Sequence, residues 1–174
     1  LFLASTGFKF IDWQKLWAIL LKYWDKFLIE GVKYTLLISA ITVFFGAILA
    51  AALALMKMSK ILPLRWISAI YVEIIRGTPM LLQLYFFYFG LPMLIPALNK
   101  QKLLCICIAL ICNSAAYVSE VIRSGIQAVD PGQTEAALSL GFNKKQTMWY
   151  IVLPQAVKNI LPALGNEFIM IVKD

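Results

Sequence analysis

Long apolar runs separated by short polar breaks make up this chain, and the breaks mark off its helices. Tyr34 to Met56 carries no charge. At ~1.5 Å per residue that run is long enough to cross a bilayer core of ~30 Å. Its small residues, Ser39, Gly46, Ala47, Ala50, Ala51, Ala52 and Ala54, allow close helix approach. Lys57, Lys60 and Arg65 follow at once, with Pro63 between them as a helix breaker. An apolar helix is predicted from Arg65 to Arg76. Gly77-Thr78-Pro79 then resets the chain, with Pro79 in the first turn of the next helix. Gly77 to Asn99 again lacks charge and reads as a second span, with Pro92 and Pro96 at its exit. The third span is predicted over Leu103 to Ser119, and a fourth starts at Ala163. Residues 11–29 are too often charged to span. Lys15, Lys22 and Lys26 share one face, which predicts an amphipathic helix lying in the interface, its tryptophans at headgroup depth. The alternative is that these residues begin the first span.

Composition agrees with this pattern. Of 174 residues, 61% are hydrophobic and only 14% charged, against about a quarter charged in soluble domains. A membrane protein follows. The net charge of +7 fits basic cytoplasmic loops. No Lys/Arg stripe interleaved with aromatics favours nucleic acid. Histidine is absent, which removes the commonest acid–base group and metal ligand. Cys105, Cys107 and Cys112 lie within one apolar run and read as small filler, so no metal site is expected. The positive-inside rule places the 57–65 loop in the cytoplasm and the N-terminus outside, with residues 1–30 an extracytoplasmic segment and 31–174 the membrane domain. The chain begins without Met, ends inside an apolar segment and carries no signal-peptide pattern, so it reads as a fragment cut within its fourth span.

The polar stretch between the third and fourth spans, residues 125–160, is the most structured break. Asp130 suits an N-cap, Pro131 a first helical position and Gln133 a capping box. Gly141 suits a C-terminal cap with positive φ. Asn143 and Gln146 repeat the cap-and-box spacing, so a second short helix is predicted up to Leu153, ended by Pro154. An ordinary helix–turn–helix connection would explain the same residues. A connection of this length with its own helices is more often functional. It holds no catalytic group, which points to contact with a partner.

These residues carry a resemblance. Glu135-Ala136-Ala137, Gly141, Ile151, Leu153 and Pro154 fit the E-A-A…G…I-x-L-P loop of membrane subunits of binding-protein-dependent ABC importers. E-I-I-R-G-T-P at 73–79, N-S-A-A-Y-V-S-E-V-I-R-S-G-I at 113–126 and P-A-L-G-N-E at 162–167 resemble the permeases of polar amino-acid uptake. The resemblance covers roughly residues 30–174. It implies an all-α, polytopic transmembrane helical bundle of the type I ABC importer kind, with about five spans in a full subunit. It also implies a multi-pass place in the bacterial cytoplasmic membrane. The partners it implies are a second permease subunit, like or unlike, a cytoplasmic ATPase dimer that binds ATP and Mg, and an extracytoplasmic amino-acid-binding protein. The chain has no G-x-x-x-x-G-K-[ST] loop and no cofactor of its own is expected. By the resemblance, Glu135, Ala136, Ala137 and Gly141, with Pro154, form the element that docks in the ATPase. Small Ala136 and Ala137 would permit close docking, and Glu135 could pair with a basic group.

Ionisable residues inside a membrane are functional candidates. Glu73 and Arg76, and Glu120 and Arg123, stand at helical spacing and are expected to pair with each other. Asn113, Ser114, Asn166 and Glu167 are the substrate candidates. Glu167 could meet an ammonium, and Asn113 and Asn166 could donate to a carboxylate. Hydrogen bonds between helices are the alternative role for each. A non-transporting membrane subunit that still docks an ATPase is the second functional reading.

Overall fold

The computed structural model describes residues 12–173, so the first eleven residues of the expected N-terminal segment and Asp174 lie outside it. All regular elements among the described residues are helical. The chain divides into two units, Leu1–Leu37 and Ile38–Asp174.

In the first unit, helix α1 (Trp13–Asp25) is capped by Asp12, whose side chain accepts from the Lys15 N–H at 3.3 Å. No residue of α1 is buried. No helix stop separates residues 11–29 from the run that follows. A π-helical turn, Lys26–Glu30, leads directly into α2 (Gly31–Met58), and the helical backbone is continuous from Trp13 to Met58. The segment is therefore the start of the first long helix. Neither Gly nor Pro stands between Asp25 and Glu30 to stop it, and charge alone does not terminate a helix.

In the second unit, α3 (Leu62–Gly77) follows the short loop with Pro63 in its first turn. Pro79 sits just before α4 (Met80–Tyr85), which continues through a π-helical turn, Phe86–Gly90, into α5 (Leu91–Leu94). The helix ends at Leu94, with Pro92 in its last turn and Pro96 just beyond, so the two prolines mark its exit as expected. Met80 to Leu94 measures roughly 22 Å at ~1.5 Å per residue, shorter than a full crossing, so the second span is briefer than the uncharged run suggested. Helix α6 (Lys102–Gln127) is long and apolar enough to cross a membrane and continues beyond Ser119. After α7 (Pro131–Ser139) come α8 (Lys144–Thr147), a π-helical turn Met148–Val152 and α9 (Leu153–Lys173).

Pro154 does not end the second loop helix, and the last long helix starts at Leu153, not Ala163. In the wider turn the Leu153 N–H bonds the Met148 carbonyl, five residues back. Pro154 has no N–H to offer and stands where that register changes, so the chain passes it without a break.

Small residues hold the unit together. Ala50 and Leu53 of α2 pack on Ala115 and Val118 of α6. Gly46 lets α2 approach Ser114, since a Cβ there would stand 3.2 Å from the serine Oγ. A second cluster joins Val129 to Val152, Ala156 and Ile160. Gly125 of α6 faces Ile160 of α9, and a Cβ at Gly125 would overlap the isoleucine Cγ1. Close packing of this sort, more than apolar burial, drives helix association in lipid.

Candidate functional site

Local chemistry shapes the loop between α6 and α9. Asp130 caps α7 by accepting from the Gly132 N–H at 2.7 Å. The expected capping box at Gln133 does not form, because its side chain accepts from Gln155 at 3.3 Å and ties α7 to the start of α9. At the other end, the Gly141 N–H donates to Leu138 O at 3.0 Å and the Phe142 N–H to Ala137 O at 3.1 Å. This paired pattern is a Schellman termination, which requires a left-handed residue. Gly141 supplies it at φ 86° and is the positive-φ residue of the described chain. Asn143 and Gln146 form the expected capping box, with bonds of 2.9 and 3.0 Å.

The short helix thus has two fixed ends and an outward face. Glu135 and Ala136 are exposed, and Leu140 is 79% exposed. Ala137 points the other way. At 4% exposure it is part of the chain's own packing, so it seats α7 and offers no docking surface. Nothing in the residue pattern marks which alanine faces outward.

Between α6 and α9 lies a cavity of about 150 Å³, lined by Met80, Asn113, Ser114, Tyr117 and Glu167, among others. Three of the four expected substrate residues meet there. Asn166 does not; it is exposed and lines no part of this cavity. The hydroxyl of Ser114 is buried, with no hydrogen-bond partner among the described residues, against Gly46 at the α2–α6 crossing. Asn113 donates to Gln83 Oε1 at 3.0 Å. Gln83 in turn donates to Ile75 O at 2.7 Å, Thr78 O at 3.1 Å and Thr78 Oγ1 at 2.7 Å. Gln83 therefore closes the carbonyls left open at the α3–α4 break and pins α6 beside them. No sequence motif singles out Gln83 or Tyr117. A lone glutamine in an uncharged run was the available signal for the first. Tyr117 stands one turn from Asn113, on the same helix face.

At the other end of α6, Glu120 and Arg123 pair as expected, through bonds of 3.0 Å from Nε and 2.7 Å from Nη2 to one carboxylate oxygen. Lys57 of α2 donates to the other oxygen, and Gln127 accepts from Arg123 Nη1 at 2.8 Å. Glu73 and Arg76 do not pair among the described residues. Arg76 instead lies over the Tyr117 ring, 5.2 Å from its centre. A cation over an aromatic face competes well with an exposed ion pair, which is worth little.

Comparison with known proteins decides the family. Residues 42–174 match the binding-protein-dependent transport system inner membrane component family. The chain belongs to it. The family's match takes in every candidate site residue named above, from the Lys57 cluster to Glu167. Among relatives of this transport-system component, the arginine transport system permease protein of Bacillus subtilis (strain 168) is 45% identical over 85% of this chain and 67% of its own. A putative glutamine transport system permease protein of Rickettsia felis (strain ATCC VR-1525 / URRWXCal2) is 45% identical over 89% of this chain and 72% of its own. A solved crystal structure, that of an amino acid ABC transporter with histidines, matches with a TM-score of 0.80 and 46% identity. The match covers 94% of this chain and 73% of that one. The present chain thus spans about two thirds to three quarters of these relatives. It is an all-α transport permease component, and its relatives are amino-acid ABC transporter permeases.

Proposed function

We propose that this chain is a permease subunit of an ATP-driven importer of polar amino acids in the bacterial cytoplasmic membrane, working by alternating access. The observation that carries this reading is α7. It is a short helix fixed at both ends, with Glu135, Ala136 and Leu140 outward, between the two helices that line the cavity. Movement of a docked ATPase would reach α6 and α9 through α7 without passing through a flexible loop. ATP, with Mg, is bound by that separate cytoplasmic ATPase pair. A second permease subunit completes the pathway and an extracytoplasmic binding protein delivers the amino acid. The relatives' names, which mention arginine and glutamine transport, support this substrate class.

In the cavity, Glu167 is suited to an ammonium or a cationic side chain, and Asn113 and Tyr117 offer neutral polar groups. Asn166, being exposed, has no part in this cavity.

Two variants separate docking from cargo. Leu140→Asp puts a charge on the outward apolar tip and is expected to lose co-purification with the ATPase and, with it, uptake in proteoliposomes. Glu167→Gln is expected to keep the ATPase bound and to lose most ATP-dependent uptake. Full ATPase retention and uptake in Leu140→Asp would refute the docking role.

A further inference from the structure

Two surface features apart from the outward face of α7 meet at Met58. The first is a cleft of about 450 Å³ lined by Lys57, Ser59, Arg65, Arg123 and Gln127, together with Met58. Its three cations come from three helices. Glu120 is the one carboxylate they pair with among the described residues, and it holds both Lys57 and Arg123. Those two side chains are thereby fixed in direction while staying partly open, at 23% and 31% exposure. Arg65 is exposed and forms no ion pair among the described residues. The cleft therefore presents two positive charges beyond those it neutralises.

The second feature is an apolar groove of about 680 Å³ whose wall includes Ala51, Leu55, Met58, Ile122, Ile126 and Trp149. Ala51, Leu55 and Met58 lie at i, i+4 and i+7 on one face of α2. The groove climbs that face for roughly 10 Å away from the cleft. Leu55 and Trp149 are largely exposed there.

We infer that the basic cleft and the adjoining groove together bind one anionic phospholipid, its phosphate among Lys57, Arg65 and Arg123 and an acyl chain along Ala51 and Leu55. Charge complementarity selects this occupant. A free phosphate would use the cations and leave the groove empty. A packed apolar helix would fill the groove and give the cations no role. A molecule with an anionic head joined to an apolar tail uses both, in the order in which they occur along α2. The placement also suits the expected topology, because the 57–65 loop lies at the cytoplasmic leaflet, where basic pockets between helices meet anionic headgroups. Trp149, exposed on the groove wall, is of the residue type enriched at headgroup depth.

Native mass spectrometry of the full chain, delipidated in detergent, tests it with four probes: phosphatidylglycerol, phosphatidylcholine, glycerol phosphate and inorganic phosphate. Phosphatidylglycerol should be retained at least ten-fold better than phosphatidylcholine, and the two soluble phosphates not at all at equal concentration. Arg65→Gln removes an exposed, unpaired cation and should weaken phosphatidylglycerol retention about five-fold. Ala51→Trp fills the groove without touching the cleft and should weaken it at least as much. Circular dichroism of both variants should match the parent, so a loss of retention reports the site. Equal retention of the two lipids, or of inorganic phosphate, would overturn the proposal. So would Ala51→Trp binding the anionic lipid as the parent does, or exclusion of lipid from the groove by a second copy of the chain.

Discussion

Gly141→Val is expected to reduce ATPase stimulation by the binding protein, and amino-acid uptake, to background, while membrane insertion and helix content stay normal. The cause is backbone conformation. Gly141 stands at φ 86°, and a β-carbon there would meet nothing within 4 Å. Valine would fit the space but not the dihedral angle, since left-handed geometry costs an L-residue about 1–2 kcal/mol and is worst for β-branched side chains. The chain relieves that strain by giving up the Gly141–Leu138 and Phe142–Ala137 bonds. Helix α7 then loses its fixed end and its outward face. Asparagine tolerates the left-handed region, so Gly141→Asn should keep a substantial part of the coupled activity. Coupled hydrolysis at the parent's rate in Gly141→Val, measured in proteoliposomes with ATPase and binding protein, would contradict the role given to this turn.

A second large effect is expected where α6 crosses α9. Gly125→Ala drives a methyl into Ile160 Cγ1, near the root of a buried, β-branched side chain that cannot swing away. Overpacking of this kind costs about 1–3 kcal/mol. Gly125→Leu should exceed that. Ile160→Ala alone leaves a cavity and costs about 2–5 kcal/mol. In the double variant the new methyl occupies part of the space the isoleucine vacates, so the two losses should sum to more than the measured one. Such non-additivity is the mark of direct contact. Thermal denaturation of the detergent-solubilised protein reads all three. Because Asn113 and Glu167 stand on the same two helices, Gly125→Ala should also weaken uptake. Strict additivity of the two substitutions would show that the helices do not meet at this pair.

The parts of the fold legible in the sequence are those decided within a few residues. Asp130, Gly141 and the Asn143–Gln146 box act on their own neighbouring backbone, so their spacing suffices to place them. Length and absence of charge likewise announce α6. Pro154 misled because the π-helical turn just before it shifts the hydrogen-bond register, and nothing in the residue pattern marks such a turn. Gln133 was drawn from its box by Gln155, a partner on another element. The inward face of Ala137, the outward face of Asn166 and the Gln83–Asn113 bond are set by how helices are rotated against one another. Periodicity predicts an apolar face, but in a chain apolar all round it does not fix that rotation. Arg76 illustrates the same limit. Its i−3 neighbour Glu73 was visible in sequence, and the Tyr117 ring it covers was not.

We propose the outward face of α7 as the ATPase docking surface. Photo-crosslinking tests it most directly, with a photoreactive residue placed singly at Glu135, Ala136, Ala137 and Leu140 in the assembled transporter. Adducts with the ATPase are expected from positions 135, 136 and 140, and only intramolecular or absent products from the buried position 137. Adducts of equal yield from all four positions, or none with the ATPase from the three exposed ones, would contradict it.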